Sequence, residues 1–523
     1  VGLRAVGHIH QSRDAASVSF IFERSVVFTA LFAVATFVFH FARAGAYGYQ
    51  RDELYFISCA RHLAFGYVDQ PPLIAVITKL ALTLFGDSLY GLRFLPAVAA
   101  AATVAITGRL ARRFGAGLWA QGIAMLGIGL SPFSLAIGNL LTMNAFEPLL
   151  WVGSAYLLAK AMETDRTRLW AAFGIVSGLG LINKYSMFFF LGSCIVGIAL
   201  TPERRVLRRP GLLLAAGIAL AIVAPTLVWQ AQNGWPQLEV LRNAAIGKNI
   251  DQGPVLFYVQ QLLLMSPLAA PLWLAGLFGL VFAPELRAWR WYGYAYLVLS
   301  VVYAALQAKI YYLGPAYPVL FAAGGAFVGA RLHRIGFATV AYPALLFAGG
   351  LAIAPEAFPL LPLREFIAYQ KIIDVRGVKM EKHPEGIVPQ HFADMLGWNT
   401  LVDTLARAFE SLPPAQRREA VILTRDYGQA SAVDMLGPAH GLPLAISGHN
   451  NYYLYGTRGT SGNVVLAIGL SRETLSREYA DVREVAIYRD RYVLPDFNNL
   501  PIYACTHPRE PLAAFWPNLK RFI

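Results

Sequence analysis

Residues 48–73 read GYQRDELYFISCARHLAFGYVDQPPL and set Asp52, Glu53 and Asp69 close to a very apolar segment. A carboxylate held in a partly dry cleft binds its proton more tightly than one in water, which makes it a better general base toward a sugar or lipid hydroxyl. Each aspartate also has a plainer use. Asp52 opens the helical pattern DELYFISCARHL and Asp69 precedes a Pro-Pro helix start, and at both places a carboxylate can cap free N–H groups. Two such acids in one loop argue for Asp52 and Asp69 as catalytic groups.

A site of this kind needs cations for a departing phosphate, and Lys184 in INKYSM and Lys309 in QAKIYYLGPAYP stand at the ends of apolar runs. Their plainer use is to snorkel, with the stem in lipid and the ammonium at the interface. Tyr312 suits a phosphate or sugar contact, or joins Tyr311 and Tyr317 as an interfacial aromatic. In LLTMNAFEPLLW, Asn144 and Glu147 begin another run, where a glutamate needs a partner such as Arg51 or Arg93, or a task. Arg51, Glu53, Asn144 and Glu147 complete the candidate donor-phosphate and substrate contacts. The three cysteines, Cys59, Cys194 and Cys505, have no metal or redox spacing. Lysines can neutralise a monophosphate leaving group, so neither metal nor cofactor is expected.

These side chains must be positioned by a membrane-embedded scaffold. Of 523 residues, 56% are hydrophobic and 14% charged, against about 25% charged in soluble proteins, and the mean hydropathy is +0.48. Apolar runs at 25–43, 90–108, 117–137, 141–160, 169–184, 186–200, 211–231, 255–282, 291–307, 313–330 and 336–354 predict about eleven spans. With that number, Arg4, Arg13 and Arg24 and the clusters Arg109/Arg112/Arg113, Arg166/Arg168, Arg204/Arg205/Arg208/Arg209, Arg287/Arg290 and Arg331/Arg334 share the cytoplasmic side. The first run lacks a small-residue cleavage site and reads as a retained span.

The fold class is therefore mainly α: a polytopic helical domain over 1–355, with its acidic motifs in external loop 44–89, and an external soluble α/β domain over 356–523. PPLIAVITKLALTLFGDS predicts a helix along the membrane surface. EAVILT, LPLAISG and NVVLAIG predict strands separated by helices, and GTRGTSG a turn-rich linker with weak phosphate-binding character. Net charge is +13, but its excess is dispersed through short loops, which argues against a nucleic-acid partner. Of the three cysteines, Cys59 with Cys505 is the one external pairing the spacing leaves open.

RDELYF, GYVDQPPL, GLGLINKYSM, KIYYLGPAYP and SGHNNYYLYG, in this order, resemble the GT-C membrane glycosyltransferases of family 39, the protein mannosyltransferase and aminoarabinose transferase superfamily. The resemblance implies a polyprenyl-phosphate sugar donor and inversion at the anomeric carbon. It implies an acid/base role for Asp52, a second loop acid at Asp69, and Lys184 and Lys309 near the lipid phosphate. Two positions depart from the aminoarabinose branch: Gln70 stands where that branch has lysine, and Tyr55 where it has arginine. The DQPP form is closer to a bacterial branch with Asp-His-Pro-Pro.

The expectation is an enzyme of the bacterial inner membrane, working among membrane lipids, with the outer domain periplasmic and a lipid, glycan or protein acceptor. Two other classes remain open. A transporter or lipid flippase would show internal repeats and midplane charges, and a non-catalytic scaffold would use DYGQASAVDMLG and SGHNNYYLYG as recognition loops.

Overall fold

The structure, a computed structural model, describes residues 23–248, 250, 253–332, 336–373 and 381–523; Arg4, Arg13 and Arg334 lie outside them. Every expected apolar run carries helix. Five helices are long and apolar enough to cross a membrane: Glu23–Phe41, Leu89–Arg113, Pro210–Gln232, Ile310–Arg331 and Ala338–Ala357. A sixth span results if Ala270–Phe282 and Pro284–Ala305, bent by 87°, act together. This is an integral membrane protein.

The other expected spans are shorter or interrupted. The run 117–137 breaks before Pro132 into Leu118–Gly129 and Pro132–Ile137, and 255–282 breaks into Pro254–Leu264 and Ala270–Phe282. The expected junction within 169–200 is present: helices Thr167–Asn183 and Ser186–Ala199 are separated at Lys184, whose backbone is extended. The helical run is thus interrupted at a residue of interest.

The loop after the first helix folds as Arg51–Arg61, a short turn, and the apolar helix Leu73–Phe85. Neither aspartate is a cap. Gln50 caps the first helix by accepting from the Asp52 N–H at 2.6 Å, and Glu53 completes the capping box by accepting from the Gln50 N–H at 2.9 Å. Pro72 precedes the second helix with no side-chain cap. Both aspartates are therefore left for other partners.

The outer domain is α/β, with a five-stranded sheet ordered β2-β1-β3-β5-β4. β1 (Ala420–Thr424), β2 (Ala445–Ser447) and β3 (Val464–Ile468) are the expected strands and pair in parallel. They are buried throughout because both faces are covered, which is why they read as unbroken apolar runs. β4 (Tyr479–Tyr488) and β5 (Leu500–Pro508) add an antiparallel edge that the sequence reading missed. β4 mixes Asp481, Arg483 and Glu484 with apolar residues, so its pattern is weak, and those charges protect an exposed edge.

One face of this sheet does more than close a soluble core. Ile422, Leu466 and Ile502 pack with Leu401, Leu405, Ala430 and Val433 of the domain's helices, and the same cluster takes in Leu54, Tyr55, Ile57 and Cys59 of the acid-bearing helix. Cys505 belongs to the cluster on the opposite face, and all three cysteines are free, so the Cys59–Cys505 pairing is not made.

Candidate active site

Asp52 and Asp69 come together through the outer domain. Tyr427 Oη donates to Asp52 Oδ1 at 2.7 Å. Tyr55 Oη donates to Asp69 Oδ1 at 2.8 Å, and Asn450 Nδ2 donates to Asp69 Oδ2 at 2.9 Å. The Tyr55 and Tyr427 rings, 4.5 Å apart, bridge the two acids. Burial, reinforced by nearby Asp52, raises the Asp69 pKa to about 6, against the opposing hydrogen bonds from Tyr55 and Asn450. Asp394 is also raised to about 6, chiefly by burial, with Arg51 opposing.

Tyr427 and Asn450 escaped the sequence reading, although their motifs were singled out. Both follow the carboxyl ends of adjacent parallel strands, β1 and β2, where open α/β sheets gather functional side chains. Asp426 caps helix Tyr427–Leu436 by accepting from the Gly428 N–H at 2.7 Å. Asn451 Oδ1 accepts from the Val68 N–H at 2.9 Å and pins the loop just before Asp69.

Glu53 departs from its expected role. Its carboxylate is fully buried and accepts from Arg93 Nε and Nη2, the Gln50 N–H and the Leu141 N–H at 2.8–2.9 Å. Arg93 also donates to the Ala44, Ala46 and Gly48 carbonyls. The pair ties the first loop to helix Leu89–Arg113 and leaves Glu53 no oxygen for a substrate. Arg51 lies over the Tyr427 ring at 5.0 Å and donates from Nη2 to its hydroxyl at 3.0 Å, one step removed from Asp52.

The lysines each have an acidic partner. Lys184 Nζ donates to Asn144 Oδ1 at 2.8 Å and Glu147 Oε2 at 3.0 Å, and Ser186 also bonds Glu147. Glu147 is therefore paired with Lys184, not with Arg51 or Arg93. Lys184 also stands 4.1 Å from the Tyr312 ring centre and 5.1 Å from that of Tyr311.

Lys309 Nζ lies 2.5 Å from Glu381 Oε1, which Lys248 approaches at 3.4 Å. Gln390 donates to Glu381 Oε2 at 2.9 Å. Glu381 is held well below the usual carboxylate range: burial opposes ionisation, and His383, Lys248 and Lys309 outweigh it. The sequence reading missed Lys248, His383 and Glu381 because no periodic motif joins them. Tyr317 is buried and bonded to Tyr296 and Gln261, so it is not interfacial. Arg458 of GTRGTSG bonds Asp434 at 2.8 Å.

The Tyr312 N–H donates to the Lys309 carbonyl at 2.9 Å, so one short segment adjoins both lysines. Tyr311 adjoins Lys184 and interacts electrostatically with Glu381, Glu147 and, more weakly, Asp52. Among the described residues, no group of three or more His, Cys, Asp or Glu side chains is placed to hold a metal ion.

This architecture is similar to that of solved membrane enzymes. ArnT from Cupriavidus metallidurans bound to undecaprenyl phosphate superposes with a TM-score of 0.58 and 14% identity, over 91% of this chain and 97% of that one. Its apo form gives 0.58 and 15%, over 94% and 98%. The chain shares the fold of these two structures.

Within this fold, residues 69–229 match the family described as dolichyl-phosphate-mannose-protein mannosyltransferase, a stretch that includes Asp69 and Lys184 but neither Asp52 nor Lys309. The lipid A galacturonosyltransferase RgtD of Rhizobium johnstonii (strain DSM 114642 / LMG 32736 / 3841) is 25% identical over 222 residues, which are 40% of this chain and 45% of that protein. The matched segment thus spans about half the length of this relative.

Proposed function

We propose that the chain is a glycosyltransferase that moves a sugar from a polyprenyl-phosphate donor to a hydroxyl of an envelope lipid, glycan or protein. Asp52 takes the proton of the acceptor hydroxyl as its oxygen attacks the sugar C1. The bond from C1 to the phosphate oxygen breaks on the opposite face, so the configuration inverts. Lys184 and Lys309 receive the negative charge that develops on the departing polyprenyl phosphate. Tyr312 lines the same place, and Asp69 orients the acceptor.

The observation that carries this reading is the position of the Tyr311–Tyr312 segment, whose rings meet Lys184, whose Tyr312 N–H donates to the Lys309 carbonyl, and which interacts electrostatically with Asp52. The undecaprenyl phosphate bound to the fold neighbour and the lipid acceptor in the name of the partial relative point to a lipid-linked donor and favour a lipid acceptor.

In this proposal the site faces the periplasm and the chain crosses a bacterial inner membrane about eleven times. Ion pairs Arg113–Glu163 and Arg209–Asp165 join three of the arginine-rich loops. Arg113 ends the helix whose first turns carry Arg93 beside Glu53, and twenty residues at the helical rise separate the two arginines by about 30 Å, a hydrocarbon thickness.

The test is transfer of label from a radioactive polyprenyl-phosphate sugar into membrane acceptors. Asp52→Asn is expected to lower the rate by about 10²–10⁴-fold, the usual contribution of a general base. Full activity in both Asp52→Asn and Asp69→Asn rejects the proposal.

A further inference from the structure

Asp52 is satisfied on one side only. Its Oδ1 accepts from Tyr427 at 2.7 Å, whereas Oδ2 has no hydrogen-bond donor among the described residues. Behind Tyr427 stands Arg51, donating to the phenol oxygen at 3.0 Å. The guanidinium therefore polarises the very O–H that is donated to the carboxylate, and hydrogen bonds in such a chain strengthen one another.

The Tyr427 ring is fixed from three sides. Tyr55 lies 4.5 Å away, His449 4.8 Å and the Arg51 guanidinium 5.0 Å. Gly428 allows this approach, because a β-carbon there would stand 2.4 Å from Arg51 Cγ. Burial pushes the Tyr427 phenol well above its ordinary range; Arg51 opposes the shift while Asp52, Asp426 and Asp69 add to it, so the phenol remains a donor near neutral pH.

From this geometry we infer that Tyr427 is a positioning residue for the transfer step: it anchors one oxygen of Asp52 and fixes the carboxylate's orientation, leaving the other oxygen free for the acceptor hydroxyl. Asn450 does the corresponding work for Asp69 from the next strand end, so the outer domain is part of the active site and not a roof over it. This inference rests on Asp52 being the base. Tyr427 itself exchanges no proton with the substrate; the proton passes from the acceptor oxygen to Asp52 Oδ2.

The experiment uses the full chain in nanodiscs and a radiolabelled polyprenyl-phosphate sugar prepared from host membranes, with kcat and KM measured separately. In Tyr427→Phe, loss of a hydrogen bond to a charged group is expected to lower kcat about 10–100-fold with KM for the donor unchanged. Replacing Tyr427 by 3-fluorotyrosine keeps the ring, its packing and a donating hydroxyl, and is expected to hold kcat within about threefold of wild type. A loss confined to kcat and recovered with the hydroxyl supports the inference; a rise in KM with kcat unchanged, or an equal loss in both variants, overturns it. If Tyr427→Phe does not fold, 2,3,5,6-tetrafluorotyrosine, whose phenol ionises far more readily and so stops donating, takes its place with the same expected loss.

Asp52→Asn separates the two ideas. If it is inactive while Tyr427→Phe keeps the wild-type kcat, the reading of the base stands and the role of Tyr427 is overturned. If Asp52→Asn retains full activity, the reading of the base fails and takes the inference with it.

Discussion

The aspartates and the lysines are held in opposite ways. Asp52 and Asp69 are bonded by neutral groups, Tyr427, Tyr55 and Asn450, so each carboxylate is oriented without having its charge cancelled. Lys184 and Lys309 are each met by a buried glutamate, Glu147 and Glu381. Under the proposed function the acid half accepts a proton, while each lysine already has a carboxylate partner, Glu381 being shared by Lys309 and Lys248, which a donor phosphate would have to share or displace. A membrane-embedded site gains from this difference, because a lone cation near lipid costs more than a paired one.

The largest effect expected from breaking this contrast is at Lys184. Lys184→Met leaves Glu147 buried without its cation and should cost about 3 kcal/mol of stability, read from unfolding in detergent. The double variant Lys184→Met/Glu147→Gln should recover most of that stability and none of the transfer activity. Equal activity in the double variant and the wild type would remove Lys184 from phosphate binding.

Next is pH. Asp69, raised to about 6, must be ionised to orient an acceptor hydroxyl, so activity should fall as pH drops through about 6. Its contribution to stability has the opposite sense. A carboxyl with a raised folded pKa favours the folded state most below its unfolded value near 3.8, and this contribution is lost as pH rises through about 6. Glu381, depressed below 4.5, stabilises the fold above that value and loses this contribution as pH falls. Stability curves of Asp69→Asn and Glu381→Gln should therefore diverge from wild type in opposite directions with pH.

A smaller effect is expected in donor binding. Glu381→Gln removes the carboxylate that competes for Lys309 and Lys248, and KM for the donor should fall several-fold, on the order of 1 kcal/mol. A higher KM would show that Glu381 aims Lys309 at the phosphate instead of competing with it. The smallest effect is for EDTA: with two lysines as the phosphate's counter-charge, chelation should change the rate less than about twofold.

Much of this arrangement was legible from the chain. The acids and lysines stood out because polar residues in long apolar runs are expensive, and the three parallel strands because a sheet covered on both faces reads as continuous apolar sequence. What each charge touches was harder to read. Glu53 and Asp52 are neighbours, yet one is locked to Arg93 and the other faces the site, a distinction set by which side of one helix meets Leu89–Arg113. Capping by Gln50 freed both aspartates, and nothing in local spacing announces that choice.

Partners that fold brings from far along the chain were invisible for the same reason. Tyr427 and Asn450 reach Asp52 and Asp69 across more than 370 residues, and Glu381 reaches Lys309 from 72 away. Their signal lay only in position, just past the carboxyl ends of strands that the apolar pattern had already marked.

A structure of the full chain with a polyprenyl-phosphate sugar bound would test the central claim most directly. The account predicts the phosphate within hydrogen-bond distance of Lys184 or Lys309, with the sugar C1 directed toward the free oxygen of Asp52. A phosphate bound away from both lysines, or a sugar whose C1 is turned from Asp52, would contradict it.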